Sequence, residues 1–161
     1  MDVLQHARKL YEKGEVYDAL EAAQAACDRA PRDAEAWWLL GCVSRHAGLP
    51  QASDHAFRRA AELSRRKPVP VRVSPAAFAS VVEQARHEMS PDARRRLAAT
   101  RIRLAELPTE DQIRAGTRPD ATAARNRRPE DVLTLYQVNL ENHAGSEAAL
   151  AAAVVKALSK A

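Results

Sequence analysis

The stretch Gly14–Trp37, GEVYDALEAAQAACDRAPRDAEAW, decides the fold of the first half because its pattern returns in Gly48–Pro68, GLPQASDHAFRRAAELSRRKP. The two leading glycines are about 34 residues apart, a period typical of paired-helix repeats. Small or apolar residues recur at the inward positions of this frame, which pair Ala19 with Ser53, Ala23 with Phe57 and Ala26 with Ala60. We therefore predict helices over residues 2–13, 17–30, 34–47 and 50–66.

This half resembles the tetratricopeptide repeat family. The matching features are the Trp-x-x-Leu-Gly opening at Trp37, Leu40 and Gly41, the mid-repeat glycines Gly14 and Gly48, and the closing Pro31. The sequence departs from the family at Ser44, where an aromatic residue is usual, and at His6 and Ala7, where Leu-Gly is expected. The resemblance covers residues 1–67 and implies helical hairpins that stack into a concave face suited to peptides or helices.

The second half, residues 68–161, mixes helix and strand signals after the proline-bearing connector Lys67–Pro75. The Ser-Pro pairs at Ser74 and Ser90 are typical of a helix N-cap and first helical residue. The predicted elements are helices over 75–89, 91–98, 139–143 and 146–158, and strands over 100–104 and 132–136, adjacent in one small sheet. Residues 108–130 are predicted to be loop, with one helical turn over 110–114. The whole chain is predicted to be mainly α with a small β component (α+β), with the two hairpins packed on the second domain. We expect Phe78 to cover the outer apolar stripe of the second hairpin.

The second half resembles the minimal zincin-like metallopeptidases of bacteria through VSPAAFASVVEQA, TRIRLAELPTEDQIRAG and DVLTLYQVNLENHAGSEAAL. In that family the following helix carries His-Glu-x-x-His, whose imidazoles hold zinc while the Glu activates water. Here that helix is ALAAAVVKALSKA, with Ser159 and Lys160 near the place of the motif. The pair His87–Glu88 has Pro91 in place of the second ligand. The resemblance therefore implies a degenerate domain over 68–161 that is not an enzyme, with no catalytic, cofactor-binding or metal-ligating residues.

The net charge of +4 is uneven along the chain, because ten arginines lie within Arg94–Arg128 against four acidic residues. Such a segment could contact nucleic-acid phosphates, yet it holds no Phe, Tyr or Trp to stack on bases. Cys27 and Cys42 are too few for a disulfide framework and are expected to be reduced packing thiols. No run of about 18 apolar residues occurs, so the sequence predicts neither a membrane span nor a secretory signal, and a cytoplasmic location is expected.

These features predict a non-catalytic regulatory protein that binds a partner protein, such as a protease to inhibit or a cargo to hold. The predicted partner-binding residues lie on the first helix of each hairpin: Gln5, Arg8, Trp38 and Arg45. Two alternatives stay open at this point. One is nucleic-acid binding through Arg94–Arg128, and the other is a divergent zinc peptidase with unrecognised ligands.

Overall fold

The computed structural model describes residues 2–161, so Met1, the first residue of the predicted 1–67 domain, lies outside the described range. The chain is mainly helical with one small sheet, which confirms the predicted fold class. In chain order the elements are α1 (Val3–Glu12), α2 (Val16–Arg29), α3 (Ala34–His46), α4 (Pro50–Leu63), α5 (Pro75–Glu88), α6 (Pro91–Arg96), β1 (Arg101–Ala105), α7 (Glu110–Arg114), β2 (Ala123–Asn126), β3 (Val132–Tyr136), α8 (Gln137–Asn142) and α9 (Glu147–Lys160).

The residues form two compact units. The first unit runs through Pro70 and also includes Thr109–Asp120, and the second comprises Val71–Pro108 and Ala121–Ala161. The predicted domains divided the chain at 67/68 and placed 109–120 in the second domain. Segment 109–120 belongs to the first unit because Ile113 of α7 is buried there against Gly14, where an added Cβ would lie 2.8 Å from the Ile113 Cγ2 atom.

The first unit begins with two helical hairpins, α1–α2 and α3–α4. Gly14 and Gly48 occupy equivalent turns with φ of +80° and +78°, a left-handed conformation that glycine adopts without steric cost. Asp2 and Asp33 cap α1 and α3, since their carboxylates accept backbone N–H bonds from the first helical turn. The four predicted helices are therefore confirmed, with shifts of at most three residues at their ends.

The core of the first unit is built from small residues facing large ones. Ala19, Ala23 and Ala26 of α2 are buried at the predicted inward positions. In the second hairpin, the fully buried Phe57 ring lies directly over Gly41, and the Ser53 hydroxyl donates to the Gly41 carbonyl at 2.6 Å. The small residue of the sequence pattern is thus what allows α3 and α4 to approach closely.

The second unit contains a three-stranded sheet of order β1-β3-β2. β1 pairs with β3 in parallel, with Arg101 opposite Val132, so the predicted adjacency of these strands is confirmed. The prediction that 123–126 is loop was wrong, because β2 pairs antiparallel with β3. Its sequence, AARN, lacks the alternation and β-branched residues that mark a strand, and it pairs through its backbone.

Helices α5 and α9 pack together in the core of the second unit. Phe78 and Val82 of α5 and Leu150 and Val154 of α9 are buried in this core. Phe78 is a core residue of the second unit and not of the first, so the prediction that it covers the second hairpin was wrong. Within residues 2–161, no helix combines the length and the apolar character needed to cross a membrane.

Candidate functional site

A groove of about 850 Å³ lies in the first unit between α2, α3 and α4, and we call it the Tyr17 groove. It is distinct from the face on which the sequence analysis placed the partner-binding residues. Its lining residues come from all three helices and the turn before α4: Tyr17, Leu20, Glu21, Gln24, Ala25, Asp28, Trp37, Leu40, Ser44, Leu49, Ala52 and His55.

Apolar side chains line most of the Tyr17 groove. Tyr17, at the start of α2, is 77% exposed, and Leu49, in the turn before α4, is 45% exposed. The Trp37 indole between them is fixed, since its Nε1 donates to the Pro31 carbonyl at 2.9 Å and its ring meets His55 edge-on at 6.3 Å. A fixed half-buried indole beside exposed apolar neighbours gives a preformed contact surface.

Besides the imidazole of His55, the polar side chains of the Tyr17 groove are carboxylates, an amide and a hydroxyl. Glu21 and Asp28 lie on the exposed side of α2, about two turns apart, and the lining holds no Lys or Arg. Asp28 accepts a hydrogen bond from Gln24 at 3.1 Å, and no Lys or Arg in the described part of the chain forms an ion pair with either carboxylate. A smaller groove of about 430 Å³ between α1 and α2 shares Glu21 and adds Asp18 and His6. Three carboxylates, those of Asp18, Glu21 and Asp28, therefore lie along α2, against the single cation Arg29 in its last turn.

The sequence-predicted residues Arg8 and Trp38 are brought together by two other side chains. Glu35 accepts from Arg8 at 3.4 Å and from Lys67 at 2.9 Å, and the Lys67 ammonium lies 4.9 Å from the centre of the Trp38 ring. We call this set the Arg8–Trp38 face. Trp38 also packs edge-on against the core Phe57, with ring centres 4.8 Å apart. The ring is half-buried and contributes to packing as well as to the surface.

The other two predicted residues lie apart from that network. Gln5 is exposed on α1, where its backbone N–H donates to the Asp2 carboxylate at 2.7 Å. Arg45 is half-buried in the last turn of α3, where a cation is favourable to the helix dipole. The geometry thus connects two of the four predicted residues and leaves their role in partner binding a prediction.

The arginine-rich segment is divided between the units, because Arg114 and Arg118 belong to the first unit and the rest to the second. Arg95, Arg114, Arg118 and Arg125 form ion pairs with nearby carboxylates. Six exposed arginines of the segment form no ion pair with a carboxylate of residues 2–161: Arg94, Arg96, Arg101, Arg103, Arg127 and Arg128. The sequence segment is therefore not one continuous cationic site on one unit.

Groups suited to catalysis or metal binding are scattered across the described residues, which contain no cluster of three or more His, Cys, Asp or Glu side chains able to hold a metal ion. His87 lies in a pocket of about 260 Å³ and its Nε2 is 3.8 Å from the Glu83 carboxylate, at an exposed position. Burial raises the pKa of the Cys27 thiol to about 11, with smaller contributions from Asp28 and Asp33, so this thiol is protonated at neutral pH.

The segment that resembles the peptidase family packs into the core of the second unit. Glu141 of α8 is buried and accepts hydrogen bonds from the Val73 N–H at 2.9 Å, Gln137 at 3.1 Å and Arg72 at 3.3 Å. These bonds tie the connector to α8. The final helix α9 directs Leu150, Val154 and Leu158 into the core, while Ser159 and Lys160 are exposed. The hydrogen bonds of Glu141 and the buried leucines and valine of α9 therefore hold the second unit together.

Sequence reasoning missed Tyr17, Leu49 and His55 as candidate site residues. The signal that could have indicated Tyr17 is its spacing with Leu20, Glu21 and Gln24, which places an aromatic and an aliphatic side chain on the same side of α2 as the acidic and amide groups. Leu49 and His55 join the groove only through the fold. Comparisons with protein-family models, curated proteins and solved structures gave no match. The function is accordingly inferred from the geometry and charges described above.

Proposed function

We propose that this protein is a non-catalytic interaction protein that binds a partner protein through the Tyr17 groove. In this proposal the first unit is a pair of tetratricopeptide-like hairpins, and the second is a zincin-like domain without the catalytic residues. Binding would regulate the partner, by inhibiting a protease or holding a cargo, and would take place in the cytoplasm.

The observation that carries the proposal is the clustering of exposed apolar side chains. The exposed large hydrophobic residues of the described chain are Tyr17, Leu49, Val69 and Leu104, and two of these four line one groove. Single exposed hydrophobic residues are ordinary, whereas grouped ones mark interaction surfaces. Aromatic anchors in such grooves contribute much of the affinity of protein complexes.

We further propose that the protein does not catalyse a reaction. The roles of the groups best suited to catalysis support this. Glu141 holds the connector, the Cys27 thiol is protonated and buried, and α9 packs its apolar face into the core. A catalytic acid, base or nucleophile needs a partner group within hydrogen-bond reach of a substrate site. These groups are instead committed to packing.

The test is affinity capture with matched variants of the full chain. The wild type, a Tyr17→Ala/Leu49→Ser variant and a Val69→Ser control are used as baits in extract of the source cells, and bound proteins are quantified by mass spectrometry. All three substitutions replace exposed side chains, so the three baits should unfold at similar temperatures. We expect a protein that is enriched on the wild type and on Val69→Ser and is lost from the groove variant. Equal recovery on all three baits, or no enriched protein, would contradict the proposal.

Nucleic-acid binding is the second candidate, favoured by the exposed arginines of the second unit. Arg101 and Arg103 project from β1, and Arg94 lies on the preceding short helix α6. If these side chains contact phosphates, affinity for duplex or single-stranded nucleic acid should fall steeply with salt and be reduced by Arg101→Ala/Arg103→Ala. Retention of tight binding at about 0.15 M salt, lost in that variant, would favour this candidate.

A further inference from the structure

We propose that the occupant of the Tyr17 groove is a basic amphipathic α-helix of the partner protein. This inference rests on the proposed function, because it names the chemistry of the partner that the groove would bind. Three features select this partner: the charge of the groove, its apolar surface and the lack of a strand in the described residues of the first unit.

Charge complementarity selects a cationic partner. Glu21 and Asp28 lie on the groove, Asp18 lies in the neighbouring groove of the same helix, and no lining residue is Lys or Arg. This local excess of negative charge is opposite in sign to the chain as a whole, whose net charge is +4. Carboxylates without internal ion pairs favour encounter with Lys and Arg side chains and disfavour acidic partners.

The apolar surface of the groove suits side chains spaced along a helix. The apolar lining comes from three places in the chain: Tyr17 and Leu20 on α2, Trp37 on α3, and Leu49 in the turn before α4. The small side chains of Ala25 and Ala52 allow the axis of an added helix to approach closely. Residues three and four apart on such a helix would place two or three apolar side chains into the groove.

A helix is favoured over an extended peptide because the described residues of the first unit contain helices and no strand. An extended peptide obtains much of its affinity from main-chain hydrogen bonds to an open sheet edge. A helix satisfies its own backbone groups and needs only side-chain contacts. The Tyr17 groove offers side chains, so it fits the second mode.

The experiment uses the full chain and two synthetic peptides of about 18 residues, long enough for a helix to form on binding. Both carry leucines alternately three and four residues apart, with Lys at all other positions in one peptide and Glu in the other. Binding is followed by fluorescence anisotropy of labelled peptide at about 0.15 M salt. We expect the Lys peptide to bind and to gain helical circular dichroism, and the Glu peptide to bind at least about tenfold more weakly.

Variants locate the binding and test its charge dependence. Tyr17→Ala should weaken binding of the Lys peptide about tenfold or more. Glu21→Lys should weaken it several-fold, whereas the controls Val69→Ser and Glu130→Lys should leave it unchanged. Glu130 is an exposed carboxylate of the second unit and provides the charge-matched control.

Four outcomes would overturn the inference. Binding of the Glu peptide equal to that of the Lys peptide, with sensitivity to Tyr17→Ala, would refute the basic partner while leaving the proposed function intact. Binding of neither peptide, or binding unaffected by Tyr17→Ala and Glu21→Lys, would refute the helix, and the affinity capture would then decide the proposed function separately. A dimer in analytical ultracentrifugation that Tyr17→Ala dissociates would assign the groove to a second copy of this chain.

Discussion

Gly41→Ala is expected to destabilise the first unit although alanine is the better helix former. Gly41 lies in the interior of α3, and a Cβ atom there would be 2.7 Å from two carbons of the Phe57 ring and 2.9 Å from a third. Contacts below about 3.0 Å require movement, and the ring is fully buried with Trp38 against it. The ring therefore has little room to yield.

The magnitude follows from two opposing effects. Replacing a glycine inside a helix by alanine gains about 1 kcal/mol of helix propensity. Forcing an extra carbon into a packed core costs typically about 1–3 kcal/mol. With three close contacts to one immobile ring, the cost should be near the upper end, which leaves a net decrease of about 2 kcal/mol in the free energy of unfolding.

The assay is urea unfolding followed by far-UV circular dichroism, on the wild type, Gly41→Ala, Phe57→Leu and the double variant. Phe57→Leu removes the ring, so the added methyl should cost much less in that background, and the two changes should not add. An equal loss from Gly41→Ala in both backgrounds would refute the role of the Phe57 contact. An increase in stability of about 1 kcal/mol in the wild-type background would show that helix propensity outweighs packing.

Three further predictions concern the second unit and the metal content. The Arg125 guanidinium, and to a smaller extent the Thr100 hydroxyl, holds the pKa of Asp131 well below its usual range. The pair therefore stabilises the fold at pH values above the ordinary carboxyl pKa of about 4, and this stabilisation is lost as the pH falls further and Asp131 is protonated. Asp131→Asn should therefore lower the melting temperature at pH 7 and flatten its decline in acid, whereas Glu130→Gln should change neither. Glu141→Gln should lower the free energy of unfolding by about 3 kcal/mol in urea titrations, because a buried carboxylate paired with Arg72 is lost; an unchanged midpoint would contradict its structural role. Elemental analysis of purified protein should give far less than one zinc per chain, and casein should not be cleaved; a zinc retained through gel filtration, together with chelator-sensitive cleavage, would favour the peptidase.

The helical half was predictable because its signals are local. The turn glycines, the capping aspartates and the small inward residues each act within a few positions of the helix end or contact they determine. The repeat frame placed Phe57 at an inward position and Gly41 in the opening motif, and the structure shows that the two are in contact. The short helix α7 was also anticipated; it begins with a capping box at Thr109 and Gln112.

The errors lie where tertiary contacts decide the outcome. β2 is a strand because β3 offers an unpaired edge and Arg125 bonds to Asp131, and neither fact is visible in the local pattern AARN. Phe78 faces the core shared with α9, a helix far away in sequence. The amphipathic spacing predicts that Phe78 is buried, but it does not identify the element that packs against it.

The sequence placed the candidate site on the first helix of each hairpin. In the structure the most exposed large apolar side chain, Tyr17, lies on α2. The Arg8–Trp38 face came from the family resemblance, which directs attention to the first helix of each hairpin. The Tyr17 groove needs α2, α3 and α4 together, because Tyr17, Trp37 and Leu49 are distant in sequence. Exposure is a tertiary property, so the sequence alone could not distinguish a Tyr17 that packs from one that faces solvent.

Site-specific photo-cross-linking can show whether the Tyr17 groove is the surface that touches the partner protein. A benzophenone amino acid is placed at position 17, 49, 5, 45 or 69 of the full chain, and irradiated complexes from extract of the source cells are analysed by mass spectrometry. We expect positions 17 and 49 to cross-link one shared protein, at residues within a Lys- or Arg-rich amphipathic segment, and position 69 not to cross-link it. Cross-links to a shared protein from positions 5 and 45, with none from 17 and 49, would contradict it.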